Sequence, residues 1–199
     1  GYMRYIATRE GVERLAGNGA VTKGQRELIQ KLLTDFPDAV ELLEYEDYCK
    51  TPTLGTASAF ITMALDANLH EIDSESGYMQ YIATRPRVQK HGSHGLFSSS
   101  TSVDLASAMS ELEAHEGNVW TIIYSLRRED AARLEYDNAD AWRTLLMESA
   151  PTLAKSMKIS LDNFRWYAAF HDEGHHPHIH MMVWSDDPKE GFLTKGGIA

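Results

Sequence analysis

A chain of 199 residues that is 43% hydrophobic has the length of one compact domain and enough apolar side chain to bury a core, which excludes a disordered tail. Its formal net charge of −10 argues against gripping duplex DNA by bulk electrostatics, so any nucleic-acid partner must meet cations gathered locally. The single cysteine, Cys49, excludes an internal disulfide and a thiolate metal cluster. With no apolar run of about eighteen residues and no cleavable leader, the expected setting is the cytoplasm, with no membrane segment.

From the N-terminus, GYMRYIATREGVE (Gly1 to Glu13) recurs as GYMQYIATRPRVQ (Gly77 to Gln89), identical at nine of thirteen positions. In each copy two tyrosines and an arginine (Tyr2, Tyr5, Arg9; Tyr78, Tyr81, Arg85) fall at i, i+3 and i+7, one face of a helix. Gly11 loosens the first helix and Pro86 stops the second. No third copy follows, which excludes a solenoid. Between the copies, apolar periodicity predicts helices near Lys23 to Phe36, Asp38 to Tyr45 and Thr56 to Ile72, punctuated by Pro37 and Pro52.

Beyond the second helix, Arg85 to His94 (RPRVQKHGSH) gathers three cations and two histidines with no acid, a local basic stretch suited to a phosphate backbone. A helix is expected over Asp104 to Ala114, with Ser102 as its N-cap. Asn118 to Leu126 is β-branched and aromatic and reads as a strand. Asn138 to Met157 reads as a helix that Pro151 would bend.

The last third carries the chemistry. Phe164 to His171 (FRWYAAFH) alternates with period two, a polar stretch follows, and His178 to Trp184 (HIHMMVW) alternates again, which is the pattern of a β-hairpin. Phe164, Trp166, Ala168 and Phe170 share one side of the first strand, and Ile179, Met181 and Val183 one side of the second; these are core faces. The opposite side collects Arg165, Tyr167, His171, His178 and His180. Long helices with a few antiparallel strands imply an α+β sandwich.

His178 and His180, two apart on a strand, can reach one ion, and His171 across the hairpin completes a facial triad. Three protein ligands leave positions open for water or a substrate oxygen. Asp172, Glu173, His175 and His176 in the connecting loop are candidates for auxiliary ligands or for orienting a histidine, although His175 and His176 read better as exposed turn residues. Three neutral imidazoles suit zinc, manganese, nickel or cobalt, and magnesium becomes acceptable when a phosphate supplies oxygens.

HDEGHHPHIHMMVWS (His171 to Ser185) resembles the metal motif of plasmid relaxases of the HUH class, and YIATREG (Tyr5 to Gly11) resembles the tyrosine helix of the MobP group. HGLF (His94 to Phe97), SLRREDAARL (Ser125 to Leu134), RWYAAFHDEGHHPHIH and GFLTK (Gly191 to Lys195) follow in the order seen in MobL-type relaxases of mobile elements. The resemblance spans nearly the whole chain. It implies an antiparallel sheet with helices on one face and an additional helical layer, in one domain over residues 1–199. Residues 1–103 would be mainly helical and 104–199 rich in strands. Such folds open with a strand before the tyrosine helix, and that first strand is expected to be missing here.

The resemblance further implies nicking and strand transfer on single-stranded DNA at an origin of transfer, through a phosphotyrosyl intermediate, with other mobilisation proteins as partners. His171, His178 and His180 match the metal ligands, with manganese or magnesium favoured over zinc, nickel or cobalt. Tyr5 matches the nucleophile, Tyr81 is its rival, and Tyr2 and Tyr78 rank below both. Arg9, Arg85, Arg87, Lys90, His91 and His94 are the expected DNA contacts, and His91 or His94 would serve if the nucleophile were a histidine. The competing readings are a rolling-circle replication initiator, a generic three-histidine metal hydrolase, and an inactive DNA-binding remnant.

Overall fold

The structure, a computed structural model, describes residues 19–68, 74–174 and 176–193. The chain divides into two compact units, residues 1–72 and 73–199. The segment expected to be helical up to residue 103 is thus shared between them, and the second copy of the repeat lies in the unit that carries the sheet.

In the first unit, α1 (Lys23–Asp35) opens with a reciprocal cap. The Thr22 hydroxyl accepts the Gln25 N–H at 3.2 Å and the Gln25 side chain accepts the Thr22 N–H at 3.0 Å, satisfying donors that a helix start leaves without partners. The helix expected over Asp38 to Tyr45 is displaced. Pro37 starts a 3-10 turn to Glu41, Leu42 is extended, and α2 runs Leu43–Lys50, because a proline at a first helical position seeds a turn there. α3 (Leu54–Ala67) buries Ala57, Phe60, Ile61 and Ala64 against Ile29 and Leu32 of α1.

In the second unit, α4 (Glu75–Thr84) is capped by Ser74, and Arg85 before Pro86 is extended, as the residue before a proline prefers. Next come β1 (Leu96–Phe97), α5 (Leu105–Glu113), β2 (Trp120–Ser125), α6 (Arg128–Arg133), α7 (Ala139–Ser156), β3 (Phe164–His171) and β4 (His178–Ser185). The fold is α+β, with seven helices among the described residues and one antiparallel sheet in the order β1-β3-β4-β2. Asp104, not Ser102, caps α5: its carboxylate accepts the Ser107 N–H at 2.8 Å, where an anion also meets the positive helix end.

α7 covers one sheet face. It runs through Pro151 because its buried stripe of Trp142, Leu146, Ala150 and Ala154 meets Trp166, Ala168, Phe170, Ile179, Met181 and Val183. Each large apolar side chain buried there contributes about 1.5–3 kcal/mol, enough to offset the hydrogen bond proline cannot make. The histidine face is covered as well. The further helical layer over it includes α4, whose Tyr78 and Ile82 carbonyl reach the strands, and α5, whose Glu111 accepts from the Tyr167 hydroxyl at 2.8 Å.

Candidate metal centre

β3 and β4 pair with His171 opposite His178 and Ala169 opposite His180. His171, His178 and His180 therefore project from one face. All three are fully buried, and one ring nitrogen from each lies within 4.8 Å of the others. His171 Nδ1 stands 3.3 Å from His178 Nε2. Ligands at about 2.1 Å from one ion lie about 3.0–3.4 Å apart, so this pair already has the required spacing.

The far nitrogens decide what the near ones offer. His171 Nε2 donates to the Ile82 carbonyl at 2.8 Å, and His178 Nδ1 donates to the His176 carbonyl at 2.9 Å. A carbonyl only accepts, so in each neutral ring the proton sits on the far nitrogen and the near one carries a lone pair. Two lone pairs facing at 3.3 Å repel until a cation lies between them. A proton is disfavoured there: burial, then the Arg85 charge and the other two imidazoles, hold His171 well below the usual histidine range. The donor set fits a divalent ion bound by neutral imidazoles.

The ends of α4 and of the hairpin meet at this centre. The last carbonyls of a helix lack internal partners. Here Ile82 O takes His171, and Ala83 O takes the Gly95 N–H at 2.8 Å. One turn earlier, the fully buried Tyr78 sets its hydroxyl 2.9 Å from His180 Nδ1. Tyr81, the rival to Tyr5 in the sequence, is half-buried, with the Arg85 guanidinium 5.7 Å from its ring centre. Tyr2, Tyr5, Arg9 and His175 lie outside the described residues.

Asp172, Glu173 and Gly174, which follow β3, are held by arginines. One Glu173 oxygen accepts from Arg85 at 2.7 Å and the other from Arg87 at 2.8 Å. Arg128 binds Asp172 at 2.6 Å, the Glu173 carbonyl, and the Gly174 carbonyl at 3.2 Å. His176, expected as an exposed turn residue, is buried beside the centre, and its carbonyl accepts from His178.

The basic stretch is stitched to the edge of β3. Gln89 N donates to Phe170 O, and Asp172 N to Arg87 O. Arg87 and Lys90 are exposed, whereas the Arg85 side chain is 1% exposed. His91 turns its ring against Phe97. His94 is buried, accepting the Leu96 N–H at Nδ1 and donating from Nε2 to Val103 O.

The sequence matches the MobL relaxases over residues 1–199. The chain belongs to the MobL relaxase family. No curated protein and no solved structure matches it. As a MobL relaxase it is a DNA-nicking enzyme of a plasmid mobilisation family, and no helix among its described residues is long and apolar enough to cross a membrane. Sequence reasoning ranked Tyr78 below Tyr5 and Tyr81. Its shared helix face with Tyr81 was the available signal, and the pairing with His180 depends on how a helix packs on a strand 102 residues away.

Proposed function

We propose that this MobL relaxase nicks and transfers single-stranded DNA at an origin of transfer by a metal-dependent transesterification through a covalent phosphotyrosyl intermediate, for conjugative mobilisation. The observation that carries it is the set of three buried imidazoles whose far nitrogens are fixed and whose near nitrogens converge beneath a tyrosine-bearing helix. His171, His178 and His180 would hold the ion, manganese or magnesium before zinc, nickel or cobalt. A divalent ion supplies Lewis-acid polarisation of the scissile phosphate and leaves coordination positions for its oxygens.

Tyrosine, with an ordinary pKa near 10, is a weak nucleophile at neutral pH. Tyr5 is the first candidate, and Tyr81, its counterpart in the second copy, is the rival that lies within the described residues. The tyrosine oxygen forms a bond to phosphorus while the bond to the 3′ oxygen breaks, giving a 5′-phosphotyrosyl link and a free 3′-hydroxyl. The link conserves the energy for rejoining. Arg87, Lys90 and His91 are proposed to meet the DNA backbone with Arg9, and residues 1–199 to act as one relaxase-type domain. Arg85 and His94 adjoin this surface, Arg85 with its charge turned to Glu173, while Asp172 and Glu173 anchor the loop that positions His178.

Incubation with single-stranded oligonucleotides tiling the DNA that flanks the gene, with manganese, tests this. A protein-DNA band that survives denaturing electrophoresis is the expected result. Cleaved DNA without such a band would instead indicate a three-histidine hydrolase.

A further inference from the structure

We infer that Tyr78 is a positioning residue of the histidine centre, its hydroxyl accepting the Nδ1–H of His180 and so fixing the tautomer whose Nε2 offers a lone pair toward His171 and His178. The inference rests on the metal-dependent reading above. His171 and His178 are each fixed by a carbonyl, from Ile82 and His176. The third ring is fixed by a phenol, at 2.9 Å, with the rings edge-on at 80°. A phenol can donate or accept. Three lone pairs directed at one cation require that it accept here, with its own proton turned elsewhere. His180 Nε2 is buried, and the two nitrogens of an imidazole point away from one another, so the Tyr78 oxygen lies behind the ring. A nucleophile must reach phosphorus; Tyr78, fully buried behind a ligand, holds that ligand instead.

Tyr78→Phe keeps the ring and removes the oxygen. Titration calorimetry with manganese is expected to show affinity weakened about tenfold to a hundredfold, the range for loss of a group that orients a metal-bound histidine. The covalent DNA adduct should return when manganese is raised to saturation. Unchanged affinity in the variant overturns the inference. So does an adduct lost even at saturation with affinity intact, which would make Tyr78 the nucleophile. Should the wild-type protein take up no manganese, the metal reading itself fails and the inference with it. Nitrogen-15 histidine spectra of the metal-free wild-type protein give an answer independent of any variant's folding. A proton on His180 Nδ1 is expected, and a proton on Nε2 would overturn the inference.

Discussion

The carbonyl oxygen of Ile82 accepts a 2.8 Å hydrogen bond from Nε2 of His171, 89 residues away in sequence. The acceptor is backbone, so no side-chain exchange at residue 82 removes it; what places it is the end of α4 at Thr84, two residues before Pro86, and the Gly95 N–H on the neighbouring Ala83 carbonyl. A Cβ at Gly95 would collide with Val88 and lie 2.7 Å from the Gln89 carbonyl. Gly95→Ala is expected to cost about 1–3 kcal/mol in urea unfolding and to weaken manganese binding. Gly24→Ala, where a Cβ meets nothing, should stay within about 0.5 kcal/mol. Equal stability of the two variants would show that the Gly95 contact does not hold the helix end.

Replacing His178 and His180 together by alanine should abolish manganese binding in calorimetry. The sequence pattern sets both on the strand face opposite the core side chains. Both rings are fully buried, so the double variant is expected to lose about 2–5 kcal/mol of stability as well. Wild-type affinity in the variant would remove these residues from the ligand set.

Two arginines share Glu173 but not their surroundings: the Arg85 side chain is 1% exposed and that of Arg87 46%. Removing one partner of a buried pair costs about 3–5 kcal/mol, and of an exposed pair about 0.2–1 kcal/mol. Arg85→Ala should therefore unfold at far lower denaturant than Arg87→Ala. Arg87→Ala should show its effect on oligonucleotide affinity. Similar midpoints for both would mean that Arg85 is not integral to the loop.

On the same sheet face, burial and then the hydrogen bond and charge of Glu111 push the Tyr167 phenol up to about 12. Its contribution to stability is complete below pH 10, where the unfolded phenol also keeps its proton. Between pH 10 and 12 the unfolded chain ionises first, so stability falls as pH rises. Tyr167→Phe should flatten that fall in urea midpoints compared at pH 9 and 11. An unaltered slope would contradict the raised value.

The hairpin was legible because period-two alternation is local: FRWYAAFH and HIHMMVWS carry their apolar faces in the sequence, and β3 and β4 lie where that pattern puts them. Helix α7 was legible because its apolar positions continue on both sides of Pro151. Its buried stripe was strong enough to carry the helix past it. Boundaries set by competing caps were not legible, as Asp104 displacing Ser102 shows. Nor was the covering of the histidine face. A sequence pattern marks a face as less apolar, and only tertiary packing shows that α4 lies over it and that Tyr78 and Ile82 complete the shells of His180 and His171.

The central claim is most directly tested by mass spectrometry of the covalent adduct formed on single-stranded origin-of-transfer DNA. In manganese, a nucleotide-bearing peptide is expected with the modification on Tyr5 or Tyr81, absent in chelator and absent when His178 and His180 are replaced. An adduct that forms equally in chelator, or in the doubly replaced protein, would contradict a metal-dependent phosphotyrosyl relaxase built on these three histidines.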